Sequence, residues 1–376
     1  MKQFVEKHKE AVIDTLRELC AIPAPSHFEH ERAEYCMKWL ENAGVKGAYI
    51  DEALNVVIPF NCEGSNEITV FVAHTDTVFP DREPMPYTDD GETLRCPGVG
   101  DDTASVAILL HVAKYLAQKG IKPPKGVLLV CNSCEEGLGN LKGTRQLFKD
   151  YEGRIAQFIS YDGKFQSVAD RCVGSHRYEV EMFTEGGHSY GAFGNKNAIA
   201  ELARIITKIY EIEVPKIGNS KTTYNVGGIE GGTSVNTIAQ SAKMLCEYRS
   251  DNEECLATMK AHFERIFDEA RAEGRDLRVT LLGERPCMGK VDLDAIAHLV
   301  DVCGGIIKET VGIEELRLHS SSTDCNIPLS LGIPALCIGV YEGGGAHTRE
   351  EWVKRDSMPV GLEVGIKVVL ALCCEG

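Results

Sequence analysis

Two adjacent glutamates, Glu135 and Glu136, follow an apolar run in the segment LVCNSCEEGLGN. Two carboxylates side by side at the end of a buried strand repel each other and resist burial, so some positive charge must stabilise them. A divalent metal ion can supply that charge, and a bound metal ion can also activate water. The pair therefore directs the search to metal-binding residue types elsewhere in the chain.

Four other short segments carry potential metal ligands. These are AHTDTVFP with His74 and Asp76, GVGDDTAS with Asp101 and Asp102, SYDGK with Asp162, and GGGAHTREEW with His347. Each segment alone has an ordinary structural explanation, because the aspartates after GVG could cap a helix and acidic residues before glycine are typical of turns. Their joint occurrence is difficult to attribute to turns. Two histidines with several carboxylates suit zinc or a similar divalent ion, and paired ions can share one carboxylate.

The elements that must position these residues alternate between strand and helix. Helices are predicted at residues 4–20, 29–43 and 142–150 and in TASVAILLHVAKYLAQKG, and strands are predicted in NVVIPF, ITVFVAHTD, GVLLVCNSC and RIAQFISYDG. This alternation predicts an α/β fold whose mostly parallel sheet is flanked by helices. Ligands of such folds bind at the carboxyl ends of the strands. The candidates that directly follow such ends are His74, Asp76, Glu135, Glu136 and Asp162.

The pattern changes between residues 175 and 285. There the chain predicts a strand, a helix, two strands, a helix and a strand, and this βαββαβ order is the ferredoxin-like arrangement. From residue 286 a helix, a short strand in ALCIGV and a C-terminal helix in GLEVGIKVVLALCC resume the first pattern. We therefore expect residues 1–174 and 286–376 to form a catalytic domain and residues 175–285 to form an inserted lid domain.

Composition and charge exclude several classes of function. The 376 residues have a formal net charge of −16, which disfavours nucleic-acid binding because that binding relies on clustered Lys and Arg. No apolar run approaches the roughly 18 residues of a membrane span, and the first residues lack the pattern of a signal peptide, so a cytoplasmic protein is expected. The fifteen cysteines are scattered, which favours buried, reduced thiols. Cys131 and Cys134 form one Cys-x-x-Cys, but no second pair completes a zinc site.

Taken together, the segments resemble a known superfamily. The chain resembles the aminoacylase and tripeptidase-T superfamily of two-zinc exopeptidases and amidohydrolases, which includes glutamate carboxypeptidase and succinyl-diaminopimelate desuccinylase. The resemblance covers nearly the whole chain and is strongest to the tripeptidase-T-like branch. It is carried, in the family's order, by HTDTVFP, GVGDD, CEEGLGNLKG, YDG, GGHSYGAFGNKNAI, STDCNIPLSLGIPALCIG and GGGAHTREEWV.

The resemblance implies two divalent metal ions, with zinc favoured and cobalt or manganese as alternatives. Asp101 rather than Asp102 would bridge the ions, because the family's bridging aspartate directly follows the small residue. The other implied ligands are His74 and Asp162 at one ion and Glu136 and His347 at the second.

The resemblance also implies roles for residues that do not bind metal. Glu135 would be the general base, taking a proton from a metal-bridged water and delivering it to the departing amine. Asp76 would lie behind His74 and hold the imidazole in the correct tautomer. The two adjacent carboxylates would then have different roles, because Glu136 would bind metal while Glu135 would face the water.

Three residues of the lid match positions that contact substrate in the family. His188 resembles the histidine that stabilises the oxyanion, and Asn236 and Arg249 resemble the pair that grips the substrate. The segment EYRS at Arg249 departs from the Asp-x-Arg of many relatives, so Arg249 could instead be an exposed strand arginine without a role in binding. The alternative for His188 is a histidine that only forms part of a turn. His188 could act within its own chain by lid closure, or in a partner's site within a homodimer formed through the lid.

The sequence therefore predicts a two-metal hydrolase of small peptides, specifically an aminopeptidase of the tripeptidase-T kind. The alternative on the same machinery is an N-acyl amino acid deacylase or a carboxypeptidase. A non-catalytic binding protein that kept the fold would be expected to lack Glu135 or a ligand, and none is lost here.

Overall fold

The computed structural model describes residues 1–374, in which helices and strands alternate along much of the chain. The helices are α1 Lys2–Cys20, α2 His30–Asn42, α3 Ser105–Lys119, α4 Lys142–Asp150, α5 Ala198–Tyr210, α6 Glu253–Ala272, α7 Leu293–Val311, α8 Asn326–Ser330 and α9 Ser357–Cys373. The strands are β1 Tyr49–Ile50, β2 Val56–Phe60, β3 Ile68–His74, β4 Thr88–Asp89, β5 Thr93–Arg95, β6 Gly126–Asn132, β7 Ile155–Tyr161, β8 Ser167–Cys172, β9 Gly174–Phe183, β10 Gly187–His188, β11 Thr222–Gly231, β12 Thr237–Ile238, β13 Ser241–Ser250, β14 Asp276–Arg285, β15 Arg317–Ser321, β16 Ala335–Ile338, β17 Gly343–Gly344 and β18 Trp352–Lys354.

The largest sheet has eight strands in the order β1-β2-β6-β3-β7-β16-β8-β15. Its four central strands, β6, β3, β7 and β16, pair in parallel, whereas β2 pairs with β6 and β8 pairs with β16 in antiparallel fashion. Every residue of β3 and of β6 is buried, as expected of central strands whose two faces are both covered. The predicted α/β fold with a mostly parallel sheet is confirmed.

Helices pack against this sheet and against one another. Helix α3 contacts β3 and β6, and α9 contacts α1, α3 and α7. Helix α3 is buried along most of its length, from Ser105 to Leu116, because it is apolar on nearly every face. The hydrophobic core of this part of the chain therefore lies between the sheet and its helices.

The chain divides into two compact units. Unit 1 consists of Met1–Cys172 together with the chain from Lys290 onward, and unit 2 is Val173–Gly289. Unit 2 contains a four-stranded antiparallel sheet in the order β11-β13-β9-β14, with α5 and α6 packed against it. In chain order these elements read βαββαβ, and the strand order is that of the ferredoxin-like arrangement.

No helix within residues 1–374 is long and apolar enough to cross a membrane. All fifteen cysteines lie in this part of the chain and none of them forms a disulfide. Cys131 belongs to β6, and Cys134 follows that strand with its Sγ 3.2 Å from Glu29 Oε1.

Candidate metal centre

The candidate ligands lie at one edge of the large sheet. His74 is the last residue of β3, Asp162 directly follows β7, and Glu136 follows β6 after three intervening residues. Because these three strands are parallel, their carboxyl ends meet at the same edge. Asp101 reaches this edge from the irregular turn Val99–Ala104 that precedes α3, and His347 reaches it from the loop between β17 and β18.

Asp101 lies between two imidazoles. Its Oδ1 is 3.1 Å from Nε2 of His74, and its Oδ2 is 3.1 Å from Nε2 of His347. The same nitrogen of His347 is 3.1 Å from Oε1 of Glu136. Asp102 faces elsewhere, since its Oδ2 accepts the backbone N–H of His74 at 3.0 Å. Of the two adjacent aspartates, Asp101 therefore contributes its side chain to the cluster.

Three overlapping groups of residues place potential ligand atoms within 4.8 Å of one another. Asp101 belongs to two of these groups, and nitrogen and oxygen donors of these kinds suit zinc and similar divalent ions. The groups are His74 with Asp101 and Asp162, Asp101 with Glu136 and His347, and His74 with Glu135 and Glu136. The donor set therefore fits two divalent ions that have the Asp101 carboxylate in common.

The electrostatics of the cluster favour positive charge at its centre. Burial raises the pKa of Asp162, and the negative charge of Asp101 adds to that effect. Burial also raises the pKa of Glu136 to about 7, although its hydrogen bond with His347 opposes this shift. Hydrogen bonds with Asp101 and Glu136 raise the pKa of His347 to about 11. Buried carboxylates whose pKa values are raised in this way are stabilised in their ionised form by a nearby cation.

Asp76 organises the turn that carries both glutamates. Its carboxylate accepts the backbone N–H of Glu135 and of Glu136, each at 2.9 Å, and the hydroxyl of Ser26 at 2.6 Å. Nδ1 of His74 lies 3.0 Å from the backbone oxygen of Asp76 and 3.5 Å from its carboxylate. Asp76 thus contacts the imidazole mainly through its main chain, and its side chain fixes the backbone of the glutamate pair.

The buried carboxylates of Asp324 and Glu351 were not singled out from the sequence. Asp324, in the segment STDCNIP, accepts a hydrogen bond from the Asn132 amide at 2.7 Å and another from the Thr144 hydroxyl. Burial and the neighbouring Glu135 raise its pKa to about 6. Glu351 accepts three backbone N–H groups from the turn that carries Asp101. No sequence signal separates Glu351 from the adjacent and exposed Glu350.

In unit 2 the structure brings His188 and Asn236 together. His188 pairs with Thr237 across β10 and β12, and the backbone N–H of Ser189 donates to the backbone oxygen of Asn236 at 2.9 Å. Nδ1 of His188 lies 3.3 and 3.2 Å from the backbone N–H groups of Tyr190 and Gly191. Nδ1 is therefore the acceptor, so the ring proton is on the exposed Nε2 side of the neutral imidazole.

Arg249 lies elsewhere in unit 2. Strand β13 begins at Ser241, a few residues after Asn236, and Arg249 lies near its other end. The eight residue steps from Ser241 to Arg249 span about 26 Å at 3.3 Å per residue. Its guanidinium donates to both carboxylate oxygens of Glu247, through Nε at 2.7 Å and Nη2 at 3.0 Å. Within unit 2, Arg249 is thus not brought together with His188 and Asn236.

Comparison with known proteins identifies sequence and structural relatives. The sequence profile of "Peptidase family M20/M25/M40" matches residues 70–371. The succinyl-diaminopimelate desuccinylase of Corynebacterium glutamicum is 25% identical over 346 residues, which cover 89% of each chain. The aminopeptidase PepT of Bacillus cereus superposes with a TM-score of 0.69 at 22% identity, covering 96% of this chain and 98% of PepT. The YXEP protein of Bacillus subtilis, described as a dinuclear metal-binding peptidase, superposes with a TM-score of 0.65 at 14% identity over 99% of both chains.

Proposed function

The chain belongs to peptidase family M20/M25/M40, and from this membership we propose that it hydrolyses amide bonds of small peptides as an aminopeptidase of the tripeptidase-T kind. The observation that carries the proposal is that Asp101 is common to two donor groups, while Glu135 lies in a third group with His74 and Glu136. A protein that had kept the fold but lost its activity would not be expected to keep every candidate metal ligand together with the candidate base, Glu135.

Five side chains would hold two divalent ions, with zinc favoured over cobalt or manganese. When bound, such ions polarise the carbonyl of the scissile amide and increase the acidity of water. Asp101 would contact both ions, His74 and Asp162 would complete one site, and Glu136 and His347 would complete the other.

Glu135 carries the proton transfers of the proposed reaction. Its carboxylate removes a proton from the attacking water, and it later delivers that proton to the amine nitrogen as the C–N bond breaks. The backbone N–H of Glu135 donates to Asp76, so the residue cannot shift without breaking that contact. Water adds directly to the carbonyl carbon, and no side chain becomes covalently attached to the substrate.

His188 is suited to stabilise the oxyanion. Since its Nδ1 accepts two backbone N–H groups, the neutral imidazole presents an N–H donor at its exposed edge. Asn236 lies beside it and would contact the same end of the substrate.

The separation of Arg249 from His188 supports a homodimer. A tripeptide spans only about 11 Å when fully extended, whereas β13 separates Arg249 from the His188 end of unit 2 by about 26 Å at 3.3 Å per residue. One unit 2 therefore cannot place all three side chains on one small substrate. We accordingly propose that His188 and Asn236 of one chain and Arg249 of a second copy contact the same substrate.

The second candidate function keeps the same machinery and changes the substrate. The relative from Corynebacterium glutamicum is named a desuccinylase, and its match covers 89% of both chains. This similarity favours an N-acyl amino acid deacylase as the alternative. A carboxypeptidase that uses the same catalytic residues is a further alternative. The two candidates differ in whether the substrate must have a free amino terminus.

A matched substrate panel tests the proposal. It comprises tripeptides with free termini, the same tripeptides acetylated at the amino end or amidated at the carboxyl end, and N-acyl amino acids, each assayed with added zinc, cobalt or manganese. The aminopeptidase proposal predicts turnover of peptides with a free amino terminus and loss of activity after chelation. Turnover confined to N-acyl amino acids would establish the deacylase instead. Full activity of metal-free protein would refute both.

A further inference from the structure

Glu351 is a buried carboxylate that takes no part in the proposed chemistry. It is only 1% exposed, and it belongs to none of the three donor groups. Its Oε2 accepts the backbone N–H of Gly98 at 2.6 Å, while its Oε1 accepts those of Gly100 at 3.1 Å and Asp101 at 2.8 Å. A single carboxylate therefore binds three main-chain donors of the turn that carries Asp101.

The small sheet formed by β17, β18, β5 and β4 places Glu351 at this turn. Strand β18 pairs with β5 so that Trp352 is opposite Arg95, which puts the residue before β18 beside the chain that leaves β5 for Asp101. Strand β18 also pairs with β17, and His347 lies in the loop that joins them. Glu351 thus links the segment of one candidate ligand, His347, to the turn of another, Asp101.

The turn is packed closely against the side chains that hold it. A Cβ atom added at Gly100 would lie 3.0 Å from Oε1 of Glu351 and 2.8 Å from the hydroxyl oxygen of Tyr341, which is itself buried. Gly98 has φ of +76°, a conformation that favours glycine. The backbone consequently has little room to take another position while Glu351 holds it.

We propose that Glu351 is a positioning residue for the metal centre, fixing the Asp101 carboxylate where two donor groups share it. The inference rests on the proposed function for the identity of the metal ligands. Because Asp101 belongs to both groups, loss of the Glu351 contacts should weaken both ions and not only one. Residues that orient metal ligands through hydrogen bonds typically change metal affinity by about 10- to 100-fold when they are replaced.

Glu351→Gln is the sharpest substitution, because it preserves shape and removes one acceptor oxygen. The amide NH2 would have to face either Gly98 N–H or the pair of N–H groups from Gly100 and Asp101, so a donor would oppose a donor. Glu350→Gln is the matched control, since Glu350 is the adjacent residue and is exposed. Gly100→Ala perturbs the same contact from the other side without altering any carboxylate.

The experiment measures the binding of cobalt by competition with a chromophoric chelator, together with the absorption spectrum of the cobalt-loaded protein. We expect Glu351→Gln to bind both ions about 10- to 100-fold more weakly and to show an altered cobalt spectrum at saturation. Gly100→Ala should shift both readouts in the same direction, and Glu350→Gln should match the wild type in both.

The proposal is overturned if Glu351→Gln binds both ions with wild-type affinity and gives the wild-type spectrum, even if its melting temperature falls. If Glu351→Gln does not fold, the same two readouts on Gly100→Ala decide the question. A wild-type protein that binds two cobalt ions but hydrolyses no substrate of the panel would refute the proposed function and leave this inference intact. A wild type that binds no cobalt would refute the inference itself.

Discussion

At the scale of residues, carboxylates of the metal centre fall into two classes by what they bind. Those in the donor groups, such as Asp101 and Glu136, direct their oxygens toward one another and toward imidazoles. Asp76 and Glu351 instead accept backbone N–H groups of the turns that carry those donors. The second class sets the positions of the first, because the two oxygens of one carboxyl group can accept several N–H groups at once.

Asp76→Asn tests the second class at the glutamate pair. The substitution leaves one acceptor oxygen for the two N–H groups of Glu135 and Glu136, so the turn should shift and turnover should fall by about 10- to 100-fold. Ser26→Ala is the control, because it removes a neutral donor to the same carboxylate and to the backbone oxygen of Glu136 but leaves both carboxylate oxygens, and it should alter turnover by a few-fold at most. Steady-state kinetics at saturating metal measures both, and wild-type turnover by Asp76→Asn would contradict the assignment.

The candidate metal ligands at the ends of strands could be identified from the sequence. The carboxylates that hydrogen-bond to the backbone around those ligands could not. His74, Glu136 and Asp162 could be placed because each lies at or just after the carboxyl end of an apolar strand. Glu350 and Glu351 look alike in the sequence, yet one is exposed and the other is buried. The difference arises from the pairing of β18 with β5, which joins segments about 250 residues apart and leaves no local pattern.

At the scale of elements, predictions succeeded where periodicity was strong. Helix α4 begins and ends at the predicted residues 142 and 150, since its sequence has a clear amphipathic pattern. The strands β8 and β15 at one side of the sheet were not predicted, because SVADRC and RLHSS are short and mix polar with apolar residues. The two- and three-residue strands of the small sheet that holds His347 are too short to carry any period.

Three helices of unit 1 meet at one buried hydroxyl. Thr15 on α1 donates to the backbone oxygen of Ala11, so it must accept from Nε2 of His111 on α3 at 3.0 Å and from Trp39 on α2 at 3.2 Å. The other ring nitrogen of His111 has no hydrogen-bond partner within residues 1–374. Burial, with some repulsion from Lys114, lowers the pKa of His111 to about 3.

The depressed pKa of His111 makes the folded protein sensitive to acid. An unfolded histidine titrates near 6.5, so its contribution to stability is complete above that pH and is lost as the pH falls from about 6.5 towards 3. Within that pH range, the free energy of unfolding falls by up to roughly 1.4 kcal/mol per pH unit because of this residue. His111→Gln should therefore show a smaller fall in melting temperature than the wild type between pH 7.5 and pH 5. His298→Gln, at an exposed site on α7, should behave as the wild type, and equal falls in all three proteins would contradict the account.

At the scale of the whole molecule, the candidate chemistry is divided between the two units. All five proposed metal ligands and Glu135 belong to unit 1, whereas His188 and Asn236 belong to unit 2. The formal net charge of −16 is consistent with a centre that gathers several carboxylates and would be partly neutralised by bound cations. The proposal that His188 serves the site of a second copy therefore concerns the whole molecule.

Complementation between two inactive variants tests this exchange. Glu135→Gln lacks the base and His188→Ala lacks the proposed oxyanion donor, whose loss should reduce turnover by about 10²- to 10³-fold. If His188 acts in the partner's site, a mixed dimer contains one site with both residues intact, and mixing should restore part of the activity. If it acts within its own chain, every site stays defective and mixing restores nothing. Full activity of His188→Ala alone would show that His188 has no role in the reaction and is an ordinary turn histidine.

The most direct test of the central claim compares the two neighbouring glutamates by metal analysis and turnover. Glu135→Gln should keep two ions per chain while turnover falls by at least about a hundredfold, because a general base is lost and no ligand is. Glu136→Gln should lose metal as well as activity, because one donor of the shared group is gone. Loss of metal from Glu135→Gln, with full metal content in Glu136→Gln, would contradict the assignment of base and ligand on which the proposed reaction depends.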